Sequence, residues 1–447
     1  MKIQPRLKSI SALGTLLFLF FIPLGTVEYP PILPVEKQAE IIDNWLKIRL
    51  DTIIPELMRR EKIDMWLVIC REYNEDPVFL TLVPSRWYAA RRTTMLVFFD
   101  RGKDGVERSI VQPYRYGILY APAWTPGQTD PWQCLADLIA RRTPQKIGIN
   151  LSPTHAFGDG LTASLRDKLQ KYLGKTYSSR LCSAENLAVG WLEKRIPQEL
   201  DTYPQIIAVA HAIIADAFSN RVIIPGITTT QEVEWWMLKK IRKLGLEPWF
   251  HPSVDLQRLK TGKPEEHGKL FETITGIIQR GDLLHCDMGL TYMRLNSDTQ
   301  ELAYVLKESE TAAPAGLVEA LRLGNRLQDI FTGRFQPGLT GNRLLLASLA
   351  KAREQGIAAQ IYTHPLGFHG HGAGPVIGLW DKQDGVPGSG DYPLYTDTCY
   401  AIELNARVPI PEWNGQVVRI ALEQDAAFTK DGVNYLDGRQ TQLHIIK

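Results

Sequence analysis

Four carboxylates sit where strand-like apolar patterns would ordinarily exclude them. Asp287 falls in GDLLHCDMGL and Asp298 follows in LNSDTQ, while Glu403 lies in CYAIELNARV and Glu423 in VVRIALEQDAAFT. An ionised carboxylate taken out of water is costly unless it is paired. Four of them on one sheet face would also drive one another's pKa upward unless cations lay between them. Two divalent ions would cancel four negative charges, and the chemistry open to such a set is metal-assisted hydrolysis. Between the two pairs of acids runs a loop rich in histidine and glycine, THPLGFHGHGAGPVIGLWD, and glycine beside histidine lets an imidazole approach an ion closely. Taken singly, each acid reads as a turn residue or part of a solvated face; the set together with this loop does not. Oxygen-rich ligation with one imidazole suits manganese first, with zinc, cobalt or iron as alternatives.

The elements that must position these residues follow from periodicity. A helix is expected near 36–60, then the strands DMWLVIC and TTMLVFF, a helix near 131–142 and the strand KIGINL, which together make an α/β unit. The texture changes around residue 185, where a long amphipathic helix with Ile206, Val209, Ile213, Ile214 and Ala217 at helical spacing opens a second unit. Inside that unit the scheme of helix, Pro-Gly turn and helix occurs twice. It is seen in IIPGITTTQEVEWW, where Thr229 and Glu232 have capping-box spacing, and again in FQPGLTGNRLLLAS. Strand-like runs carrying two acids follow each copy, which points to a duplicated unit.

On these residues the chain resembles the pita-bread metallopeptidases, which include aminopeptidase P, prolidase, methionine aminopeptidase and the related creatinase. The resemblance implies an α+β fold. Its C-terminal pita-bread catalytic domain is a duplicated αβ unit with a curved antiparallel sheet, and a creatinase-like α/β domain precedes it. The corresponding limits are 1–28 for a signal segment, 29–185 for the N-terminal domain and 186–447 for the catalytic domain. The family binds two metals through Asp, Asp, His, Glu and Glu in that order, which maps onto Asp287, Asp298, His371, Glu403 and Glu423. His369 has the same H-x-x-G spacing as His371. By this analogy Asp287 serves one ion, His371 and Glu403 the other, and Asp298 and Glu423 bridge them.

The resemblance further implies a metal-bridging hydroxide as nucleophile, with Glu403 handling the proton and His267 contacting the substrate amide. His369 and His251 are further candidates for binding substrate. Family peptidases carry a second catalytic histidine seven residues after the metal histidine; counted from His371 that position is Gly378. His369, His364 or His285 could stand in for it, His285 sharing a strand face with Asp287 by parity but reading better as a core histidine. The implied activity is that of an Xaa-Pro aminopeptidase or proline dipeptidase acting on small peptides. The alternatives are a creatinase-like hydrolase of amide or guanidino compounds, or a catalytically weak metal-binding homologue. The resemblance also allows a homodimer.

Composition narrows the partners. The 447 residues are 44% hydrophobic with a net charge of +2, and no basic run is interleaved with aromatics, so no nucleic-acid surface is expected. Lys2, Arg6 and Lys8 precede an apolar run from Ile10 to Gly25, the layout of a secretory signal. The run is short for a membrane span and contains Pro23, so export is expected, with membrane attachment only if the signal stays uncleaved. Five widely spaced cysteines give an odd number and no paired metal spacing, and no disulfide framework is expected.

Overall fold

A computed structural model describes residues 27–114, 117–260 and 274–447. Residues 1–26 of the expected signal and the candidate His267 lie outside the described residues. The chain enters through helix α1 (Val35–Arg60), whose inward stripe contains Trp45, Leu46, Leu50, Ile53, Ile54 and Leu57. These recur at three- and four-residue spacing, so one face of the helix is covered and the other is wet.

A six-stranded sheet follows. Its strands are β1 (Met65–Arg71), β2 (Thr93–Asp100), β3 (Val106–Val111), β4 (Ala121–Pro122), β5 (Ile147–Ile149) and β6 (Leu181–Ser183), in the order β4-β3-β2-β1-β5-β6. Helices α2 (Pro131–Arg142) and α3 (Ala163–Ser178) cover one face through Trp132, Leu135, Ile139 and Leu169. The Asp130 carboxylate accepts from the backbone N–H groups of Trp132 and Gln133, and Pro131 takes the first helical position, so α2 starts where the sequence says it should. Helix α1 and α4 (Glu185–Glu193) cover the other face.

The second unit holds α5 (Pro197–Ala217), α6 (Thr230–Lys243), β7 (Glu247–Pro248), β8 (Ser253–Gln257), β9 (Leu283–Met288), β10 (Leu290–Tyr292), β11 (Leu295–Asn296) and β12 (Thr299–Val305), of which β11-β10-β7 make a small sheet of their own. It continues with α7 (Ala315–Thr332), α8 (Gly341–Glu354), β13 (Ala358–Ile361), β14 (His364–Leu366), β15 (Thr398–Ile410), β16 (Gln416–Thr429), β17 (Gly432–Tyr435) and β18 (His444–Ile446). The main path of its nine-stranded sheet is β13-β15-β16-β12-β9-β8, antiparallel throughout. The duplication is visible here, since two helices and the triplet β8-β9-β12 meet two helices and the triplet β13-β15-β16 at the centre of the sheet. Each repeat starts its second helix in the same way. Gly226 and Gly338 hold φ at 82° and 79°, which only glycine tolerates readily, and Thr229 and Thr340 then cap α6 and α8.

Strand alternation separates the two faces of this sheet. Tyr400, Ile402, Leu404 and Ala406 pack with Leu327, Phe331, Leu344 and Leu345 of α7 and α8, so Glu403 and Asn405 point the other way. A continuous apolar core runs from α1 through α4 and α5 to Leu284 and Met288 of β9, joining the two sheets without a wet seam there. Across that join the fully buried Arg49 of α1 pairs with Glu199 of α5 at 2.8 Å and donates to the Trp191 and Lys194 carbonyls. Removing Arg49 leaves the buried Glu199 with Arg195, 3.7 Å away, as its remaining counter-charge. Arg49→Met is therefore expected to lower stability by about 3–5 kcal/mol, read as a lower urea midpoint; an unchanged midpoint would show that Glu199 finds another partner.

Candidate metal centre

Sheet register brings the acids together. Glu403 of β15 stands opposite Glu423 of β16, Glu423 opposite Gln300 of β12, and Gln300 opposite Asp287 of β9. Directly opposed residues share a sheet face, so the three acids and the glutamine form one row across four strands. Asp298 lies two residues before Gln300 at the mouth of β12. Strand β14 adds an imidazole to the same face, because His364 pairs with Ala401, two residues before Glu403.

The result is a compact set of ligand atoms. Asp287, Asp298 and Glu423 offer atoms all within 4.8 Å of one another, and so do His364, Glu403 and Glu423. His364 Nε2 is 3.3 Å from a Glu423 oxygen and 3.4 Å from an Asp298 oxygen. The other ring nitrogen, Nδ1, lies 3.0 Å from the Pro365 carbonyl, which can only accept, so the Nδ1–H donates there and Nε2 faces the acids. His364 Nε2, Glu423 Oε1 and Asp287 Oδ1 are all buried without a hydrogen-bond partner among the described residues. Buried polar atoms are rarely left in this condition. Such a cluster of metal-ligating atoms, without hydrogen bonds to satisfy them, fits a bound cation, which would replace the proton shared between His364 and Glu423.

The electrostatics agree. Burial pushes the Asp287 carboxyl up to about 6 against the pull of His285 and His364, and pushes Glu403 up to about 7. Burial and then neighbouring acids hold Asp298 and Glu423 well above the usual carboxylate range. Burial alone would lower His364, but Glu423 and Glu403 outweigh it and lift the imidazole to about 9.

The sequence pointed to His371 as the imidazole among the acids, and the structure places His364 there instead. His371 is one step out, with an atom within 4.8 Å of Asp298 and His364 and its ring edge-on to His364 at 4.7 Å. The reason is the strand β14, which carries His364 onto the sheet, whereas the chain leaves the sheet after Leu366 and returns His371 through a loop. Gly370 sits in that loop so close to the Trp249 ring that an added Cβ would lie 2.1 Å from it, so a side chain there would displace the loop.

A cavity of about 640 Å³ opens beside His371. Its walls include Trp87 and Tyr88 from the first sheet's domain, and Trp249, Phe368, His369 and His371 from the second. The His369 ring is stacked on Phe157 at 4.4 Å, with Nε2 unpartnered, and burial with nearby Arg195 pushes it down to about 4. His251, the other candidate for substrate contact, is exposed and edge-on to Trp235, and the cavity wall contains its neighbour Trp249 in its place.

A family model for metallopeptidase family M24 matches residues 205–430, just over half of the chain. The chain belongs to metallopeptidase family M24. Its curved antiparallel sheet is that family's pita-bread fold, and an M24 member is a metal-dependent peptidase. No curated protein matches the chain. Among solved structures, an X-Pro aminopeptidase from Thermotoga maritima MSB8 superposes with a TM-score of 0.61 at 16% identity, covering 87% of this chain and 99% of that one. A dipeptidase from Pyrococcus horikoshii OT3 gives 0.59 at 18%, covering 89% and 100%. The prolidase from the same organism gives 0.56 at 15%, covering 88% and 98%. Likeness at such identity establishes the shared fold. His364 and His371 stand seven residues apart, the interval that the resemblance implies between a metal histidine and a second catalytic one. That interval was the signal in the sequence that could have selected His364.

The acids and His364 all hold protons more tightly folded than their ordinary values. The buried Asp425 and Glu193 carboxyls, both raised to about 8 by burial, have the same sign. The stability these groups contribute to the metal-free protein is therefore fully present below the ordinary carboxylate pKa of about 4 and declines as pH rises through the folded values. Chelator-treated protein is expected to melt at a lower temperature at about pH 8 than at about pH 5. Added manganese should raise the melting temperature more at the higher pH, where protons no longer compete for the ligands. A chelated protein that melts higher at pH 8 would contradict this account of the acids.

Proposed function

We propose that this M24 chain is a two-metal peptidase that cuts next to proline, as an Xaa-Pro aminopeptidase or proline dipeptidase. The observation that carries the reading is the convergence on one space of four carboxylates, Asp298 and Glu423 buried and Asp287 and Glu403 half-buried, with the Nε2 of His364. Asp287, Asp298, His364, Glu403 and Glu423 would hold the ions, manganese being the first choice for so oxygen-rich a set. The ions would supply Lewis acidity toward the scissile carbonyl and an ionised water at neutral pH.

The chain's own residues do the rest. Trp87, Tyr88, Trp249 and Phe368 give the cavity flat apolar walls suited to a pyrrolidine ring. His371, on the cavity wall and beside the acids, is placed to donate a hydrogen bond to the substrate carbonyl oxygen. Glu403, whose carboxyl burial lifts to about 7, suits the transfer of a proton from water to the departing amine. The creatinase-like alternative drew its support from Gly378, and the His364 to His371 interval removes that support.

The reading is tested on manganese-loaded protein with Xaa-Pro dipeptides and longer peptides carrying proline second. Cleavage at that bond is expected, and two bound ions without any such cleavage would overturn the proline specificity. His364→Ala is expected to lose bound metal. His371→Ala should keep both ions and lower kcat by on the order of 10²-fold to 10⁴-fold. The opposite pattern would return the ligand role to His371.

A further inference from the structure

Gln300 interrupts the row of acids. It stands between Glu423 and Asp287 on the ligand-bearing face, only 3% exposed. Its side-chain amide donates to Glu403 Oε1 at 2.6 Å and reaches Asp287 Oδ2 at 3.4 Å. Its carbonyl oxygen faces His285 Nε2 at 2.9 Å, and His285 Nδ1 faces Asp255 Oδ2 at 3.2 Å. Asp255 is in turn 3.5 Å from Arg419 Nη2. Register explains the alignment, since Asp255 of β8 stands opposite His285 of β9, and His285 lies two residues before Asp287.

The direction of this chain of hydrogen bonds is dictated by its ends. An ionised carboxylate only accepts, and a primary amide has donors on one side and an acceptor on the other. With Glu403 and Asp287 on one side, the Gln300 NH₂ must face them and its oxygen must face His285, which donates from Nε2 as an imidazolium carrying a hydrogen on each ring nitrogen. Asp255 then receives the hydrogen of Nδ1. Turning the amide over would set its oxygen against two carboxylates that only accept, so the acids hold Gln300 in this orientation. One oxygen of Asp287 is thereby engaged by Gln300, and the other, Oδ1, is left without a hydrogen-bond partner, on a residue that groups with Asp298 and Glu423.

We propose that Asp255, His285 and Gln300 are positioning residues: through one oxygen of Glu403 and one of Asp287 they aim the remaining oxygens at the space between the acids, and so set the affinity for divalent ions. The inference rests on the metal-centre reading above, but not on the choice of substrate. His285, which reads from sequence as a core histidine, acquires a role through Gln300.

The test is calorimetric titration of manganese into chelated full-length protein, with melting of the metal-free form measured in parallel. Gln300→Met and His285→Phe are each expected to weaken ion binding by on the order of 10-fold to 100-fold while the metal-free melting temperature stays near that of wild type. His285→Gln, which keeps a donor toward Gln300, should recover most of the affinity. Wild-type affinity in both Gln300→Met and His285→Phe overturns the proposal, and so does a failure of His285→Gln to improve on His285→Phe. Wild-type protein that binds no divalent ion overturns the metal centre itself. Two ions bound without proline-directed cleavage overturns only the substrate assignment and leaves this inference standing.

Discussion

The structure is organised around a concentration of negative charge that cannot stand alone. Two like charges about 4 Å apart repel by about 4 kcal/mol at an effective dielectric of 20, and a folded domain is stable by only about 5–15 kcal/mol. Asp287, Asp298, Glu403 and Glu423 crowd into such distances, so they must either carry protons or share cations. The upward push on all four is the first of these states, and the atoms of Asp287, Glu423 and His364 left without hydrogen bonds mark the place of the second. The antiparallel register is what makes this arrangement reproducible, because opposition across β15, β16, β12 and β9 leaves none of the row's side chains free to choose another face.

Much of this was legible in the sequence, for a definite reason. Strand acids have apolar neighbours on either side, and a period of two residues then says which side chains share a face. Asp287, Glu403 and Glu423 were readable in this way, as was the repeat with its Pro-Gly turns and capped helices. The imidazole was harder, because three histidines crowd into eight residues and the loop's path decides among them. His364 is selected by its pairing with Ala401, a contact between segments far apart in sequence. Gln300 is invisible for the same reason, since a lone glutamine after Asp298 reads as ordinary until register sets it between two acids. The wall supplied by Trp87 and Tyr88 has no local signature at all, because its purpose appears only when the first sheet's domain meets the second.

The helices placed around this sheet have more to do than cover apolar residues. The faces bearing Ile402 and Leu404 are held by α7 and α8, which fixes the opposite face and with it the acids. The histidine loop is held from the other direction. The Phe368 ring packs against the guanidinium groups of Arg49 and Arg195, at 4.8 Å and 4.5 Å, and Arg49 belongs to the first described helix.

That clamp makes the duplicated half of the molecule less self-sufficient than its ligand set suggests. Every acid and both histidines of the centre come from beyond residue 280, yet the aromatic pin between those histidines is gripped by a side chain from the far end of the polypeptide. A stretch of chain that carries all the reactive groups would thus have to relearn the path of the segment from His364 to His371. Evolutionary shuffling of this catalytic unit onto other partners would meet the same obstacle, unless the newcomer brought a cation to the same spot.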